Sequence, residues 1–464
     1  MTLLTEGGGL RGGLAARASR PCPPWRFPHA WRFIWHSLSR APLMRIDPWR
    51  LARQGCAVSK SSLVQVLGAL LVSSLPCAAQ AEWTRFRGPD GQGIGQADGV
   101  PSALTDKNFL WTTELPGDGH SSPVLWGSRV FTACQDPSGK RRCITCLDAD
   151  SGKILWTTWV PCEEQRMHAD NNLAAATPAV DAEAVYIGWV SGNRVEVLAL
   201  DHGGKQLWRR DLGAFQALHG PGGSVMVVDD TVVVANDQDS PDAALHGLDR
   251  KTGETRWRLA RPSGQLSYAT PAVRTGKDGV KELVVSSPAH DLTGIDPRTG
   301  KQHWSATGLF TLNIIASPVV GDGLVWVTAG RGGAREGAVV AVDDGTARLL
   351  YRPQAKLPYV PTPVLIGGHV YLWDDQGTAS CLDLKTGKQE WSQAVTGPTY
   401  SSPVSDGKRI FGISRKGELV VLAASPEFRE LGRYRLPEGT HATPAIARGC
   451  LFIRTFTRLM RVGP

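Results

Sequence analysis

Two histidines and two tyrosines occupy the same position relative to a short proline-containing phrase that recurs along the chain. The phrase is written SSPV, ATPAV, ASPVV, PTPVL or ATPAI, and the residue three places before its proline is His120, Tyr268, Tyr400 or His441 in four copies. Imidazole and phenol groups bind metals, anions and polar ligands. These four side chains are therefore the candidate cofactor-binding residues, expected at the mouth of a central channel.

The order of the copies predicts which of these residues are neighbours. The last two copies and the first would place Tyr400, His441 and His120 side by side in a ring. The remaining copies carry Ala175, Ile315 and Val360, with Gly220 in a degenerate copy, PGGSVMV. The loops HGPGGS, from His219, and MHADNN, from Met167, are interpreted as architectural. No Ser-His-Asp order, paired carboxylate motif or phosphate loop is found, so no catalytic residue is assigned.

A second repeat, a polar turn followed by a tryptophan, predicts the strands that position these residues. It is written LDADSGKILW from Leu147, GLDRKTGETRW from Gly247 and CLDLKTGKQEW from Cys381. A turn glycine between runs of alternating side chains is typical of a β-hairpin. The aromatic residues that end the units are 40 to 52 residues apart: Trp111, Trp156, Trp208, Trp257, Trp304, Tyr351, Trp391 and Tyr434. The pattern predicts an all-β fold, an eight-bladed β-propeller of four-stranded antiparallel blades, as a single domain over residues 82–464.

The two ends of the chain predict how the ring closes. Trp111, in FLWTTEL, precedes the first proline phrase, whereas the last unit ends at RLMRV without a fourth strand. We therefore expect residues 109–115 to supply the outer strand of the last blade, so that no edge is left unpaired. The tryptophan of each unit is expected to dock against a turn of the adjacent blade, because its ring fills a gap and its N–H needs an acceptor.

Residues 1–81 are predicted to be a leader outside the propeller. Four basic residues between positions 45 and 60 precede the apolar run LVQVLGALLVSSL and the exit AQA, the pattern of a secretory signal peptide over about residues 44–81. We expect translation to begin at Met44 and the mature chain to be periplasmic or extracellular. The apolar run is too short to span a bilayer. Pro76 before Cys77 argues against a lipid anchor.

The formal charge of +8 also belongs to the leader. Ten of the 51 Lys and Arg residues and two of the 43 Asp and Glu residues lie before position 82, which leaves 41 of each afterwards. A neutral mature chain gives no electrostatic reason to expect a nucleic-acid partner.

Six cysteines follow the leader, and one pair of them is expected to face each other. Pairing across the turn DPSGK places Cys134 opposite Cys143. An exported chain can oxidise such a pair, so we predict a cross-strand disulfide. The alternative is two packed thiols.

The turn-and-tryptophan phrase, best kept in LDRKTGETRW and LDLKTGKQEW, resembles the repeat of pyrroloquinoline-quinone (PQQ)-type propellers over about residues 83–462. The closure from the N-terminus is also similar to the outer-membrane assembly propeller of the BamB type, a periplasmic scaffold without catalysis. This resemblance implies an exported, non-catalytic module for binding or scaffolding in the cell envelope, with a protein or envelope partner.

Two alternatives remain open. Quinoprotein dehydrogenases share the repeat, and that resemblance implies an enzyme holding PQQ with Ca²⁺. They resemble one another in a pair of adjacent cysteines, which this chain lacks. The other alternative is a carbohydrate- or peptide-binding surface protein, with aromatic side chains clustered on one face. A small-molecule ligand, where one binds, is expected at the channel mouth.

Overall fold

The computed structural model describes residues 82–464 except 164, 166, 218, 266 and 344, and these residues lie in one compact unit. The predicted leader, the start at Met44 and the signal peptide fall outside the described residues. Within the described part of the chain, no helix has the length and apolar character that crossing a membrane requires.

The strands of the described residues form eight four-stranded antiparallel sheets, which confirms the predicted propeller. The first strand, β1 (Phe109–Glu114), precedes the consecutive blades. Blades 1 and 2 comprise β2 (Val124–Trp126), β3 (Arg129–Gln135), β4 (Arg141–Asp148), β5 (Ile154–Pro161), β6 (Ala179–Val180), β7 (Ala184–Ser191), β8 (Arg194–Asp201) and β9 (Gln206–Ala214). Blades 3 and 4 comprise β10 (Met226–Val228), β11 (Thr231–Asn236), β12 (Ala244–Asp249), β13 (Thr255–Ala260), β14 (Ala272–Thr275), β15 (Lys281–Ser287), β16 (Asp291–Ile295) and β17 (Gln302–Ala306).

The second half of the ring repeats this order. Blades 5 and 6 comprise β18 (Val319–Gly321), β19 (Leu324–Arg331), β20 (Ala334–Asp343), β21 (Thr346–Tyr351), β22 (Val364–Ile366), β23 (His369–Trp373), β24 (Thr378–Asp383) and β25 (Gln389–Ala394). Blades 7 and 8 comprise β26 (Val404–Ser405), β27 (Arg409–Ile413), β28 (Glu418–Ala423), β29 (Glu430–Arg435), β30 (Ala445–Ala447), β31 (Cys450–Arg454) and β32 (Arg458–Val462).

Blade 8 is completed by β1, as predicted from the unequal ends of the chain. Strand β1 pairs antiparallel with β32, and Trp111 lies opposite Arg461. The N-terminal and C-terminal strands therefore share one sheet. Unfolding either end would open the whole ring, because the outer strand of blade 8 would be lost.

The tryptophans of the outer strands contact the turn of the next blade. The Trp156 indole N–H donates to the carbonyl of His202 at 2.9 Å, and its ring covers Gly204. Gly204 has φ +87°, and a Cβ there would lie 2.7 Å from the Trp156 ring. Glycine is thus needed here for two reasons: the turn requires a positive φ, and any Cβ would clash with the aromatic ring of the preceding unit.

Trp304, at the end of blade 4, departs from this arrangement. Its indole N–H donates to the Glu282 carboxylate of its own blade at 3.2 Å. Strands β20 and β21 of blade 5 pair as far as Asp343 and Thr346, and nothing lies within 4 Å of a Cβ built on Gly345, so the Trp304 ring does not cover this glycine. Arg274 instead joins blades 4 and 5, because its guanidinium donates to the carbonyl of Val342 at 3.0 Å.

An N-terminal segment, residues 82–95, closes the central channel from one side and is called the plug here. Arg87 Nη1 donates to the carbonyl of Pro403 at 2.8 Å, and its Nη2 donates to the carbonyl of Pro363 at 2.6 Å. Arg85 donates to the carbonyl of Pro271 at 3.0 Å. Both guanidinium groups are buried. The plug therefore donates hydrogen bonds to the segments that precede the innermost strands of blades 4, 6 and 7. These bonds join the three blades at the channel.

The predicted Cys134–Cys143 disulfide is absent from this structure. The register is confirmed, since the two residues lie opposite each other in β3 and β4, but both are free, buried thiols. Cys134 Sγ accepts a hydrogen bond from the buried Arg454 at 3.5 Å. The thiol of Cys143 and the Arg454 guanidinium lower the pKa of Cys134, against the effect of burial. The thiol pair is part of a polar network between blades 8 and 1.

Replacing Trp156 with alanine tests the contact between outer strand and turn. We expect Trp156→Ala to lower the free energy of unfolding by about 3 kcal/mol, because a half-buried indole leaves a cavity and the His202 carbonyl loses its donor. Leu155→Ala, at the exposed neighbouring position, is the control and should stay within about 0.5 kcal/mol of the parent. Denaturant unfolding of both variants measures this, and equal midpoints would contradict the docking role.

Replacing Arg87 with leucine tests the plug. We expect Arg87→Leu to lower the free energy of unfolding by about 2 to 4 kcal/mol, because two buried proline carbonyls lose their donors. Arg435→Leu, at an exposed position of β29, is the matched control and should have little effect. Limited proteolysis should cut within residues 82–100 of the Arg87 variant first, and protection equal to that of the parent would count against this role.

Candidate functional site

A ring of eight hydroxyl groups surrounds the channel, one from each blade. Each belongs to the residue just before the innermost strand: Ser122, Thr177, Ser224, Thr270, Ser317, Thr362, Ser402 and Thr443. In seven blades a proline follows, which restricts this residue to an extended backbone. The backbone N–H of Ser122 donates to Thr177 Oγ1 at 3.1 Å, and the same link recurs around the ring at 2.9 to 3.1 Å. We call this set the hydroxyl ring.

The hydroxyl ring lines a cavity of about 330 Å³ at the channel mouth opposite the plug. Phe86, from the plug, also lines this cavity. The four residues predicted from the proline phrases, His120, Tyr268, Tyr400 and His441, all lie in its wall. In the degenerate unit Gly222 lines the cavity, whereas Gly220 was predicted. That unit lacks the proline from which the position is counted, and the predicted position is therefore two residues too early.

Three of the predicted residues form one aromatic cluster. The ring centroids of His120 and His441 are 4.4 Å apart, and those of Tyr400 and His441 are 5.0 Å apart. The predicted side-by-side placement is confirmed. Tyr268 stands apart in the wall, where its hydroxyl donates to the carbonyl of Gly220 at 2.9 Å. What any of the four binds stays a prediction.

The loop between β5 and β6 crosses the channel mouth, and its residues 167–172 are called the mouth segment. Asp170 forms an ion pair with Arg415 of blade 7 and accepts a hydrogen bond from the Tyr400 hydroxyl at 3.3 Å. On the other side, Asn171 donates to the carbonyls of His219 and Pro221 at 3.0 and 2.8 Å. The segment therefore spans the opening from blade 3 to blade 7.

The sequence interpretation missed these contacts. The loops HGPGGS and MHADNN, which the sequence predicts to be architectural, contribute His168, Asp170 and His219 to the cavity wall. Arg415 was not considered, although its guanidinium lies 4.3 Å from the Tyr400 ring centroid and donates to His441 Nε2 at 3.2 Å. The concentration of His, Asp and Asn in MHADNN was the available signal. Asp170 has its partners, Arg415 and Tyr400, more than 200 residues away in the sequence, so this pairing leaves no trace in local spacing.

Burial controls the charge of the cluster. Burial and the neighbouring His441 lower the pKa of His120 to about 3. Burial and the Arg415 guanidinium lower the pKa of His441 to about 4. Burial alone would raise the pKa of Asp170, but Arg415, His441 and Tyr400 outweigh it and hold this pKa below its usual range. At neutral pH the cluster therefore contains the neutral imidazoles of His120 and His441 and one paired carboxylate.

The residues around this cavity do not fit PQQ held by Ca²⁺. Calcium takes six to eight oxygen ligands that include carboxylates. Asp170 is the one carboxylate among the described lining residues, and Arg415 and Tyr400 already occupy it. No three His, Cys, Asp or Glu side chains of the described chain are grouped as a metal site. The chain also lacks the adjacent cysteine pair of the quinoprotein dehydrogenases that it resembles.

The two neutral histidines should make stability depend on pH. Their unfolded pKa is about 6.5, so between about pH 4 and 6.5 the unfolded state binds more protons than the folded state. Stability should therefore fall as the pH is lowered from 7 to 5. The His120→Gln/His441→Gln double variant should lose about 3 to 4 kcal/mol less over this interval, which is about 2 kcal/mol for each imidazole. Denaturant unfolding at both pH values measures this, and parallel pH profiles for variant and parent would contradict neutral burial.

Removing the Asp170 carboxylate should loosen the mouth segment. We expect Asp170→Ala to speed amide exchange of residues 168–174 about fivefold, the effect of losing a half-exposed ion pair. Asp211→Ala, which removes the exposed pair with Arg194, is the matched control and should leave those amides unchanged. Hydrogen–deuterium exchange with mass spectrometry distinguishes the two, and unchanged exchange in the Asp170 variant would show that the ion pair does not restrain the segment.

Comparison with solved structures agrees with the fold. The chain is similar to BamB from Moraxella catarrhalis, with a TM-score of 0.56 and 17% identity over 77% of this chain and 97% of that one. It is also similar to the quinohemoprotein alcohol dehydrogenase from Comamonas testosteroni, with a TM-score of 0.61 and 12% identity over 85% of this chain and 82% of that one. At these identities the likeness concerns the propeller alone.

Sequence comparison identifies the family. The outer membrane protein assembly factor BamB of Yersinia pestis is 25% identical over 304 residues, which cover 61% of this chain and 70% of that protein. The family model described as outer membrane protein assembly factor BamB matches residues 140–393, 335–428 and 375–461. Because these matches span blades 1 to 8 and more than half of the chain, the chain belongs to the BamB family of propellers.

Proposed function

We propose that this chain is an exported, non-catalytic β-propeller that acts as a binding or scaffolding module in the cell envelope. Membership of the BamB family supports the proposal, since its relatives are named outer membrane protein assembly factors. The partner would accordingly be a protein of outer membrane protein assembly. The signal-peptide pattern before residue 82 supports export.

The observation that carries the non-catalytic assignment is the state of the polar groups at the channel mouth. A general acid or base works best with a pKa near the working pH. The pKa values of His120 and His441 are lowered to about 3 and about 4, and that of Asp170 is also lowered. Arg415 is also bonded both to Asp170 and to His441. The cluster favours a structural or ligand-contacting role over proton transfer.

The frame has the properties of a scaffold. The hydroxyl ring links neighbouring blades, the plug bonds blades 4, 6 and 7, and β1 closes blade 8. These three sets of hydrogen bonds hold the blades in one rigid ring. Loops on such a ring keep their relative positions, which limits the entropy lost when a partner binds several of them at once.

Deletion and complementation in the source organism test the proposal. Loss of the gene should lower the amounts of several outer membrane proteins, measured by quantitative proteomics of the outer membrane fraction. The wild-type gene should restore them. The His120→Gln/His441→Gln variant should restore them equally, because a scaffold does not need these imidazoles. A folded variant that fails to complement would show that the function needs these imidazoles and would contradict a purely scaffolding role. An unchanged outer membrane proteome after deletion would contradict the assembly role.

A titration separates this proposal from the quinoprotein alternative. Purified full-length protein is titrated with PQQ and Ca²⁺ while absorbance is followed, and dye-linked oxidation of simple alcohols and sugars is then assayed. We expect neither stoichiometric binding nor turnover at tens of micromolar cofactor. Binding with turnover would overturn the non-catalytic assignment.

A further inference from the structure

The hydroxyl ring supplies hydrogen-bond donors that the protein itself does not use. In the seven links given above, each hydroxyl oxygen accepts a backbone N–H. Among the described residues, none of the eight hydroxyls donates to a protein acceptor. Each of the eight residues is at least nine-tenths buried and lines the cavity. The O–H groups line the cavity and have no protein acceptor in the part of the chain that the structure describes, so the ring can donate to a ligand that brings acceptors.

Thr270 makes this point most directly. Its backbone N–H donates to Ser317 Oγ at 3.1 Å, but within the described chain its own Oγ1 has no hydrogen-bond partner. The residue is 4% exposed and lines the cavity. The preceding unit is the degenerate copy without proline, and the link from Ser224 to Thr270 is the one missing from the ring. The Thr270 hydroxyl can therefore both donate to and accept from a ligand in the cavity.

The other surfaces of the cavity are aromatic and apolar. Phe86 lies on the side of the plug, and Tyr268, Tyr359 and Tyr400 stand in the wall. The hydroxyls of Tyr268 and Tyr400 are occupied by the Gly220 carbonyl and by Asp170. Their main contribution to a ligand is thus the aromatic ring, which packs against C–H groups.

The charge of the cavity excludes most ionic ligands. No Lys or Arg side chain is among the lining residues, and the lining carboxylate, Asp170, is paired with Arg415. An anion would meet Asp170 without a lining Lys or Arg to balance it, and burying an unpaired charge is unfavourable. A hydrocarbon would leave the ring of O–H donors unpaired. An uncharged ring with hydroxyl groups at its rim and C–H groups on its faces satisfies both surfaces.

We infer that the cavity binds a neutral saccharide, with its hydroxyl oxygens on the hydroxyl ring and its C–H face against Phe86 or the wall tyrosines. A volume of about 330 Å³ is at the lower end of the range for small-ligand sites, which fits one or two sugar rings. The mouth segment, held by Asp170 and Asn171, covers the bound sugar. This inference goes beyond the scaffolding role and does not depend on it.

Calorimetric titration of the purified full-length protein tests the inference. The probes are glucose, N-acetylglucosamine, maltose, cellobiose and diacetylchitobiose, with glucuronic acid as the anionic counterpart of glucose. We expect at least one neutral sugar to bind with a dissociation constant below about 5 mM, and glucuronic acid to bind more weakly than glucose. Binding by none of the neutral sugars, or stronger binding of glucuronic acid, would overturn the inference.

Thr270→Val locates the binding. The substitution keeps the shape of the side chain and removes a hydroxyl that has no protein partner, so the melting temperature should not change. Affinity for the sugar should fall about five- to tenfold, the effect of one hydrogen bond. Thr255→Val, at an exposed position of β13, is the matched control and should bind like the parent. Equal affinity of the Thr270 variant and the parent would place the sugar elsewhere and contradict the assignment.

Phe86→Ala provides a second measurement that is independent of the hydroxyl ring. Loss of the aromatic face should weaken sugar binding by about tenfold, and circular dichroism and thermal unfolding monitor the fold of the variant. Saturation-transfer difference spectra of the parent should show the sugar C–H protons closest to the protein on one face of the ring. Uniform transfer over both faces, or unchanged affinity in a folded Phe86 variant, would contradict stacking in this cavity.

Discussion

The segment that leads into the innermost strand of each blade has a backbone N–H on the channel side. No neighbouring strand lies on that side to accept a hydrogen bond from it. In seven of the eight blades the structure meets this constraint with hydrogen bonds between blades: the N–H of the residue before the proline donates to the hydroxyl of the next blade. Ser and Thr are small enough to fit eight times around one axis, and their hydroxyls accept this bond. The link from Thr443 back to Ser122 joins the last blade to the first, so this set of bonds forms only when both ends of the chain are in place.

At the other end of the channel, the plug supplies hydrogen-bond donors to carbonyl groups of the same segments. The proline carbonyls point towards the axis, and the guanidinium groups of Arg85 and Arg87 donate to those of blades 4, 6 and 7. Two buried cations with no carboxylate at bonding distance carry a desolvation penalty, and burial lowers the pKa of Arg87 to about 9. Several bonds to carbonyl oxygens offset that penalty. The channel is therefore a pocket with one opening rather than a pore.

The open end of the pocket combines contacts from distant parts of the chain. The mouth segment follows blade 1, yet Asp170 pairs with Arg415 of blade 7 and Asn171 binds carbonyls at blade 3. Arg415 also lies over Tyr400 and holds His441. The Arg415 guanidinium thus connects the mouth segment to the aromatic wall of the pocket. The polar groups that suggest chemistry in the sequence are largely used by one another, which leaves the hydroxyl ring as the part that faces a ligand.

The amino-acid sequence by itself determined the blade count, the strand order, the closure by β1 and the four wall residues His120, Tyr268, Tyr400 and His441. These follow from local repeats, because a strand start or a turn glycine is specified by residues within a few positions of it. The tertiary structure alone decided the plug, the Asp170–Arg415 pair, the separate arrangement of Trp304 and the free thiols of Cys134 and Cys143. Each of these depends on side chains that meet only once the ring has closed, and such contacts between distant positions leave no periodic trace in a single sequence.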